Sequence, residues 1–186
     1  RSSSAASDVY KRQAEEYLQN SDAIIFRLGT LFGISDEFSR IRLDLVVNIL
    51  VTKALTEGKL TVFGGEQWRP LLHVNDVANA INHTLEDGVT GIFNLHYKNF
   101  KIIDIANEII QKVPSAIIET TPMKFQDARN YQVSSEKLFN STGFKAEVDL
   151  KSGIQEVFDL ISNNRIKDVN HIRYSNQNYL KKYGIE

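Results

Sequence analysis

The sequence contains no cysteine. Disulfides, thiolate nucleophiles and zinc–thiolate centres are therefore excluded. It also lacks an excess of either charge: 22 basic and 23 acidic side chains leave a formal net charge of −1. That balance argues against nonspecific nucleic-acid binding and against a basic membrane-facing patch, while leaving room for a local anion site. No apolar run approaches the ~20 residues of a membrane-spanning helix, and the first residues lack the apolar stretch of a secretory leader. With the missing cysteines, this favours a cytoplasmic setting. Ten glycines are present, but none forms a Gly-x-Gly-x-x-Gly or Gly-x-x-Gly-x-x-Gly run. The backbone cradle that such runs offer a pyrophosphate is thus missing from this sequence. The four histidines, His73, His83, His96 and His171, show no metal-ligand spacing, and no metal site is expected.

What is present is the pattern of a folded α/β chain. A hydrophobic content of 42% over 186 residues suits one globular domain or a little more. Ala23 to Leu28 and Gly91 to His96 read as strands covered on both faces. Lys59 to Phe63 and Ala116 to Glu119 read as further strands, and Gly29 to Glu37 as a loop. Helices are expected over 43–55, over 75–86 with Val77, Ala78, Ile81 and Leu85 inward, over 104–113, over 135–139 and over 151–161. His73 lies in an apolar run and reads as a hydrogen-bonded structural residue. His171 to Glu186, rich in Asn and Tyr, reads as a loosely packed tail. Strands alternating with helices make the fold class α/β.

The most informative stretch runs from Phe63 to Ile81: Phe-Gly-Gly-Glu-Gln-Trp-Arg-Pro-Leu-Leu-His-Val-Asn-Asp-Val-Ala-Asn-Ala-Ile. A strand end and a Gly-Gly turn deliver Trp68 and Arg69, and Asn75 opens a helix. A guanidinium at such a lip suits a phosphate, because its planar fork binds two oxygens at once. This block, with the run Arg-Leu-Gly-Thr-Leu-Phe-Gly at 27–33, resembles the NAD-dependent epimerase/dehydratase family of extended short-chain dehydrogenases/reductases. The resemblance covers roughly Ala14 to Gly153.

The resemblance implies the C-terminal part of a Rossmann-type parallel sheet, joined to a smaller α/β substrate-binding domain. It implies a parent enzyme that uses NAD (with NADP left open), acts on a nucleotide-diphosphate sugar and has room for a homodimer. Because the glycine-rich run is missing, the chain reads as a piece lacking the cofactor-binding half, inactive alone. By the same resemblance, Leu28, Gly29 and Thr30 would contact the cofactor, and Asp44, Asn48, Phe63, Arg69 and Arg129 the substrate. Each has a plainer alternative: a turn for 28–30, a helix-dipole partner for Asp44, core packing for Phe63, and solvated or ion-paired arginines at 69 and 129. Rival functions are a reductase of a non-nucleotide carbonyl in the same superfamily and a noncatalytic nucleotide-binding protein with this fold.

The family's catalytic Tyr-x-x-x-Lys pair does not carry over. Counting back from Ala14-Glu15 puts Lys11 at the Lys position, but Ser7 stands where the Tyr should be, and Tyr10 is out of register. Ser7 to Gln13 also matches an in-frame translation of a transposon end used in sequencing adaptors. Residues 1–13 are therefore expected to be an irregular scar, residues 14–163 the partial Rossmann core with its substrate domain, and residues 164–186 a polar tail. No catalytic residue is assigned.

Overall fold

A computed structural model describes residues 3–36, 40–122 and 130–184. In chain order its elements are α1 (Ser3–Leu18), β1 (Ile24–Leu28), β2 (Thr30–Phe32), α2 (Val46–Glu57), β3 (Lys59–Phe63), β4 (Trp68–His73), α3 (Val74–Asp87), β5 (Gly91–Leu95) and β6 (Lys98–Lys101). They continue with α4 (Ile102–Lys112), β7 (Ile117–Thr121), α5 (Glu136–Thr142), α6 (Leu150–Ser162), a 3₁₀ turn at Ile172–Tyr174 and α7 (Asn176–Tyr183).

The strands form three small sheets. β1 pairs in parallel with β5, and β3 in parallel with β7. β4 is central to the third, parallel to β2 and antiparallel to β6. Parallel pairing demands long crossovers, and helices supply them here. β4 separates two cores. Successive side chains on a strand point to opposite faces, so Leu71 joins Val47, Leu50, Leu60, Ile105, Ile109 and Val157, whereas Leu72 joins Phe93, Leu95, Ala80 and Leu138. The first core is that of α2, α4 and α6 over β3. The second fastens β1 and β5 to α3 and α5.

Several expectations are corrected. Residues 3–13 are not irregular: α1 is helical from Ser3, as good helix formers such as Ala, Gln, Glu, Lys and Arg favour. The segment read as a loop after Gly29 contains β2, held by pairing with β4. α3 turns a partly different face inward: Val77 packs on the second core as expected, but Ile81 and Leu85 are exposed. Asp76, Ala80 and Thr84 are buried, and Leu85 is 73% exposed. The cause is Asp76, whose carboxylate accepts the amides of Glu147 (3.2 Å) and Val148 (3.0 Å), so the side of the helix that carries Asp76, Ala80 and Thr84 faces the protein. The C-terminal segment is tied down where it begins, although α7 buries no residue. Ile166, Val169 and Tyr174 pack with Leu43 and Leu160, and the Leu43 amide donates to the Tyr174 carbonyl at 2.9 Å.

Candidate functional site

β1 and β3 deliver their C-terminal ends to one large cleft of about 890 Å³. Leu28 closes β1, Gly29 and Thr30 bridge into β2, and Phe63 closes β3; all four line the cleft, as does Arg69 from β4. The start of α2 and the residues before it, Asp44, Leu45 and Val46, also line the cleft. Ligands of open α/β sheets gather at such strand ends.

Gly29 keeps the β1–β2 passage tight. A Cβ there would meet the Pro70 carbonyl oxygen at 3.0 Å and the His96 Cβ at 3.3 Å. The Gly64–Gly65 turn has positive φ at both residues (74° and 109°), a conformation glycine adopts without strain. Gln67, buried beneath it, donates from Nε2 to the Phe63 carbonyl (2.6 Å) and accepts the Gly65 amide at Oε1 (2.7 Å). Gln67 thus braces the turn that presents Phe63 and Arg69. Its place between a Gly-Gly turn and an apolar strand was the sequence signal for it.

Arg69 is 4% exposed, yet on the cleft wall. Its Nη1 donates to the Trp68 carbonyl at 2.9 Å. Trp68 does not line the cleft; the Lys101 ammonium lies 5.7 Å from its ring centroid. Burying a guanidinium costs free energy that hydrogen bonds or an anion must offset.

Asn48 does not reach the cleft. Fully buried, it accepts the Gly33 amide at Oδ1 (3.0 Å), while Nδ2 donates to the carbonyls of Gly33 (3.0 Å) and Arg42 (2.8 Å). Oδ1 and both Nδ2 hydrogens are engaged by backbone and the side chain has no exposed surface, so the expectation of substrate contact is corrected: Asn48 pins the strand-exit loop to α2. Asp44 does line the cleft, but its carboxylate is engaged by Arg42 and by the Asn176 amide. Burial works against its ionisation, yet the Arg42 hydrogen bonds and the Asn176 amide outweigh that and hold its carboxyl below the usual range. Arg129 lies outside the described residues. The chain next to it is anchored by Asn130, whose Oδ1 accepts the Trp68 amide at 3.0 Å, and Tyr131 joins the cleft wall.

Lys11, read as an accident of register, lines the same cleft from α1, and α1 is tied to β1 by a bidentate Arg27–Glu15 pair (3.0 and 2.6 Å). Among the described residues the cleft carries Lys11, Arg42, Lys53 and Arg69 against one carboxylate, Asp44. A nearly neutral protein therefore concentrates positive charge where its strands end. Arg42, Lys53 and Tyr131 had no role assigned from the sequence; only the fold gathers them.

Behind the cleft, His73 accepts the Asn75 amide at Nδ1 (3.2 Å), which leaves Nε2 to donate to Glu156 (2.8 Å). Glu156 also accepts the Ile34 amide at 3.0 Å. His73 is thus the structural residue its apolar setting suggested. No group of His, Asp or Glu among the described residues could hold a metal ion, and no described helix is long and apolar enough to cross a membrane.

The model of the NAD dependent epimerase/dehydratase family matches residues 4–96, half of the chain. The chain belongs to this family. The match takes in residues 4–13 and ends at His96, so it contains the whole strand-end wall of the cleft. Solved structures of similar fold include an NAD-dependent NDP-hexosamine 5,6-dehydratase of tunicamycin biosynthesis, with a TM-score of 0.75 and 19% identity over 90% of this chain and 56% of that one. Another is the dTDP-glucose 4,6-dehydratase of Bacillus anthracis in complex with NAD (TM-score 0.68, 22% identity, 88% and 53% of the two chains). A third is the UDP-glucose 4-epimerase of Thermotoga maritima with UDP-glucose (0.66, 18%, 84% and 52%). This member of the epimerase/dehydratase family spans about half the length of those structures.

Proposed function

We propose that this chain is the substrate-binding half of an NAD-dependent nucleotide-sugar epimerase or dehydratase, and that Arg69 binds the diphosphate of the substrate. One observation carries the reading: an arginine almost wholly removed from water forms part of the wall of a large cleft whose rim is cationic. An anion brought to that guanidinium gains charge-assisted hydrogen bonds that are shorter and stronger than neutral ones. Phe63 and Tyr131 on the same wall suit the ring of a nucleotide base. Arg129, next in sequence to the anchored Asn130, is the second diphosphate ligand in this reading.

For the cofactor, Leu28, Gly29 and Thr30 form a wall that suits the nicotinamide end of NAD. This sequence supplies no glycine-rich turn for the pyrophosphate and no tyrosine in register with Lys11, so these residues do not make a complete NAD site. The chain by itself binds nucleoside diphosphates but neither holds NAD nor turns over substrate. When present, NAD supplies reversible hydride acceptance; the residues here orient the sugar nucleotide against it.

Calorimetric titration with UDP, dTDP and ADP tests the reading. At least one should bind, more tightly than its parent nucleoside. Failure of all three removes the sugar-nucleotide assignment and favours a carbonyl reductase without a phosphate site. Measurable NAD binding by this chain would refute the statement about the cofactor.

A further inference from the structure

The cleft holds a second arginine whose position is fixed by the far end of the chain. Arg42 donates from Nε to Asp44 Oδ1 at 3.0 Å and from Nη2 to Asp44 Oδ2 at 3.2 Å. That grip occupies one edge of the guanidinium. A guanidinium has five N–H groups in a fixed fork, so the remaining Nη2 hydrogen and both Nη1 hydrogens stay available along the other edge, with no partner among the described residues. Both Arg42 and Asp44 line the cleft, and the Arg42 side chain is 37% exposed. Its backbone is held as well, because its carbonyl accepts Asn48 Nδ2 at 2.8 Å.

Asp44 is in turn held from outside the cleft. Its Oδ2 accepts the backbone amide of Asn176, the first residue of α7, at 2.8 Å. One residue before Asp44, the Leu43 amide donates to the Tyr174 carbonyl. The segment from the 3₁₀ turn into α7 therefore grips both residues that follow Arg42.

Resting on the nucleotide reading above, we infer that Arg42 is a further phosphate-binding residue of the cleft, and that Asp44, clamped by the main chain of the C-terminal segment, is the positioning residue that aims it. Without Asp44 the guanidinium loses both hydrogen bonds and turns to solvent, so the phosphate must order it at the moment of binding. With Asp44 in place the outer edge is preorganised, and preorganisation spares that entropy.

The test is calorimetric titration of UDP, dTDP and ADP, each with its nucleoside as control, on the full chain and its variants. Arg42→Ala should weaken the nucleoside diphosphate that binds by about tenfold or more, as expected for loss of a charged hydrogen-bonding group. Binding of the nucleoside should be unchanged. Asp44→Asn should also weaken diphosphate binding alone, and Asp44→Glu should restore part of it, since a carboxylate one methylene longer still reaches the fork. A merely structural Asp44 would instead lose nucleoside and diphosphate together in Asp44→Asn, and that result overturns its positioning role. Unchanged diphosphate affinity in Arg42→Ala, beside a wild type that binds, overturns the inference while sparing the nucleotide reading. A wild type that binds no diphosphate removes that reading, and this inference with it.

Discussion

Gly33 lies against the imidazole of His73. A Cβ on Gly33 would overlap Nε2 and Cδ2 of that ring, and Gly33 has φ +83°, where side chains are strained. His73 Nε2 is also the atom that donates to Glu156. The close approach of loop and ring therefore fixes how the chain leaves β2, behind the cleft. Gly33→Ala should lose about 3 kcal/mol or more, from backbone strain and overpacking together. Urea denaturation of the variant checks this; a loss within ~0.5 kcal/mol, typical of a neutral surface change, would show that the loop is not held against His73.

Asn48→Ala should be costly although it removes few atoms. It leaves the Gly33 amide and the Gly33 and Arg42 carbonyls without their side-chain partner. Each buried group left unsatisfied costs about 1–3 kcal/mol, so a total of roughly 2–5 kcal/mol is expected after partial relaxation. Denaturant midpoints measure it, and Asn48→Asp separates the acceptor from the two donated bonds.

Asp76→Ala should loosen the joint between α3 and the segment before α6. The amides of Glu147 and Val148 lose the carboxylate that receives them, at about 1–3 kcal/mol in all for two part-buried donors that water can partly satisfy. Amide hydrogen exchange should show faster exchange at these two positions in the variant than in the wild type.

Stability should fall in two steps on acidification. Burial lowers the pKa of His96, so the unfolded state binds its proton first. Stability declines as pH passes below the unfolded histidine value near ~6.5, and this decline stops beneath the folded one. The carboxyls of Asp149 and Glu156 are held below their ordinary values. For Asp149 the Ser152 backbone hydrogen bond is the main cause. For Glu156 burial opposes the shift, but the His73 hydrogen bond and the Ile34 amide outweigh it. Their contribution is complete above the unfolded value of about 4 and is lost as pH falls through the folded values. Thermal midpoints from pH 8 to 3 should show both steps, and His96→Gln should abolish only the first.

Arg69→Lys keeps the charge and discards the planar fork, so two-oxygen binding of a phosphate is lost. Nucleoside diphosphate affinity should drop by about tenfold or more, corresponding to roughly 1.5–3 kcal/mol for a charged hydrogen bond. Calorimetry reads it directly; wild-type affinity in this variant would mean that Arg69 does not grip the diphosphate.

The sequence by itself determined the α/β class, the family, the two parallel strands at 24–28 and 91–95, and the turn that presents Phe63 and Arg69. These rest on local signals: apolar runs of strand length and a Gly-Gly turn where φ is positive. Only the tertiary structure decided the rest, because it depends on partners far along the chain. Asn48 lies four residues beyond Asp44 near the start of α2, but its carboxamide meets a loop fifteen residues away and is consumed there. The apolar Ile81 and Leu85 pointed to one face of α3, yet Asp76 found two amides about seventy residues on and turned the other face inward. Helical continuity through Ser3 to Leu18 brought Lys11 to the cleft, and the clamp from Asn176 brought Asp44 and Arg42 to face it. A hydrogen bond between distant segments has no periodicity to announce it, and such bonds decided which polar residues serve the scaffold and which face the cleft.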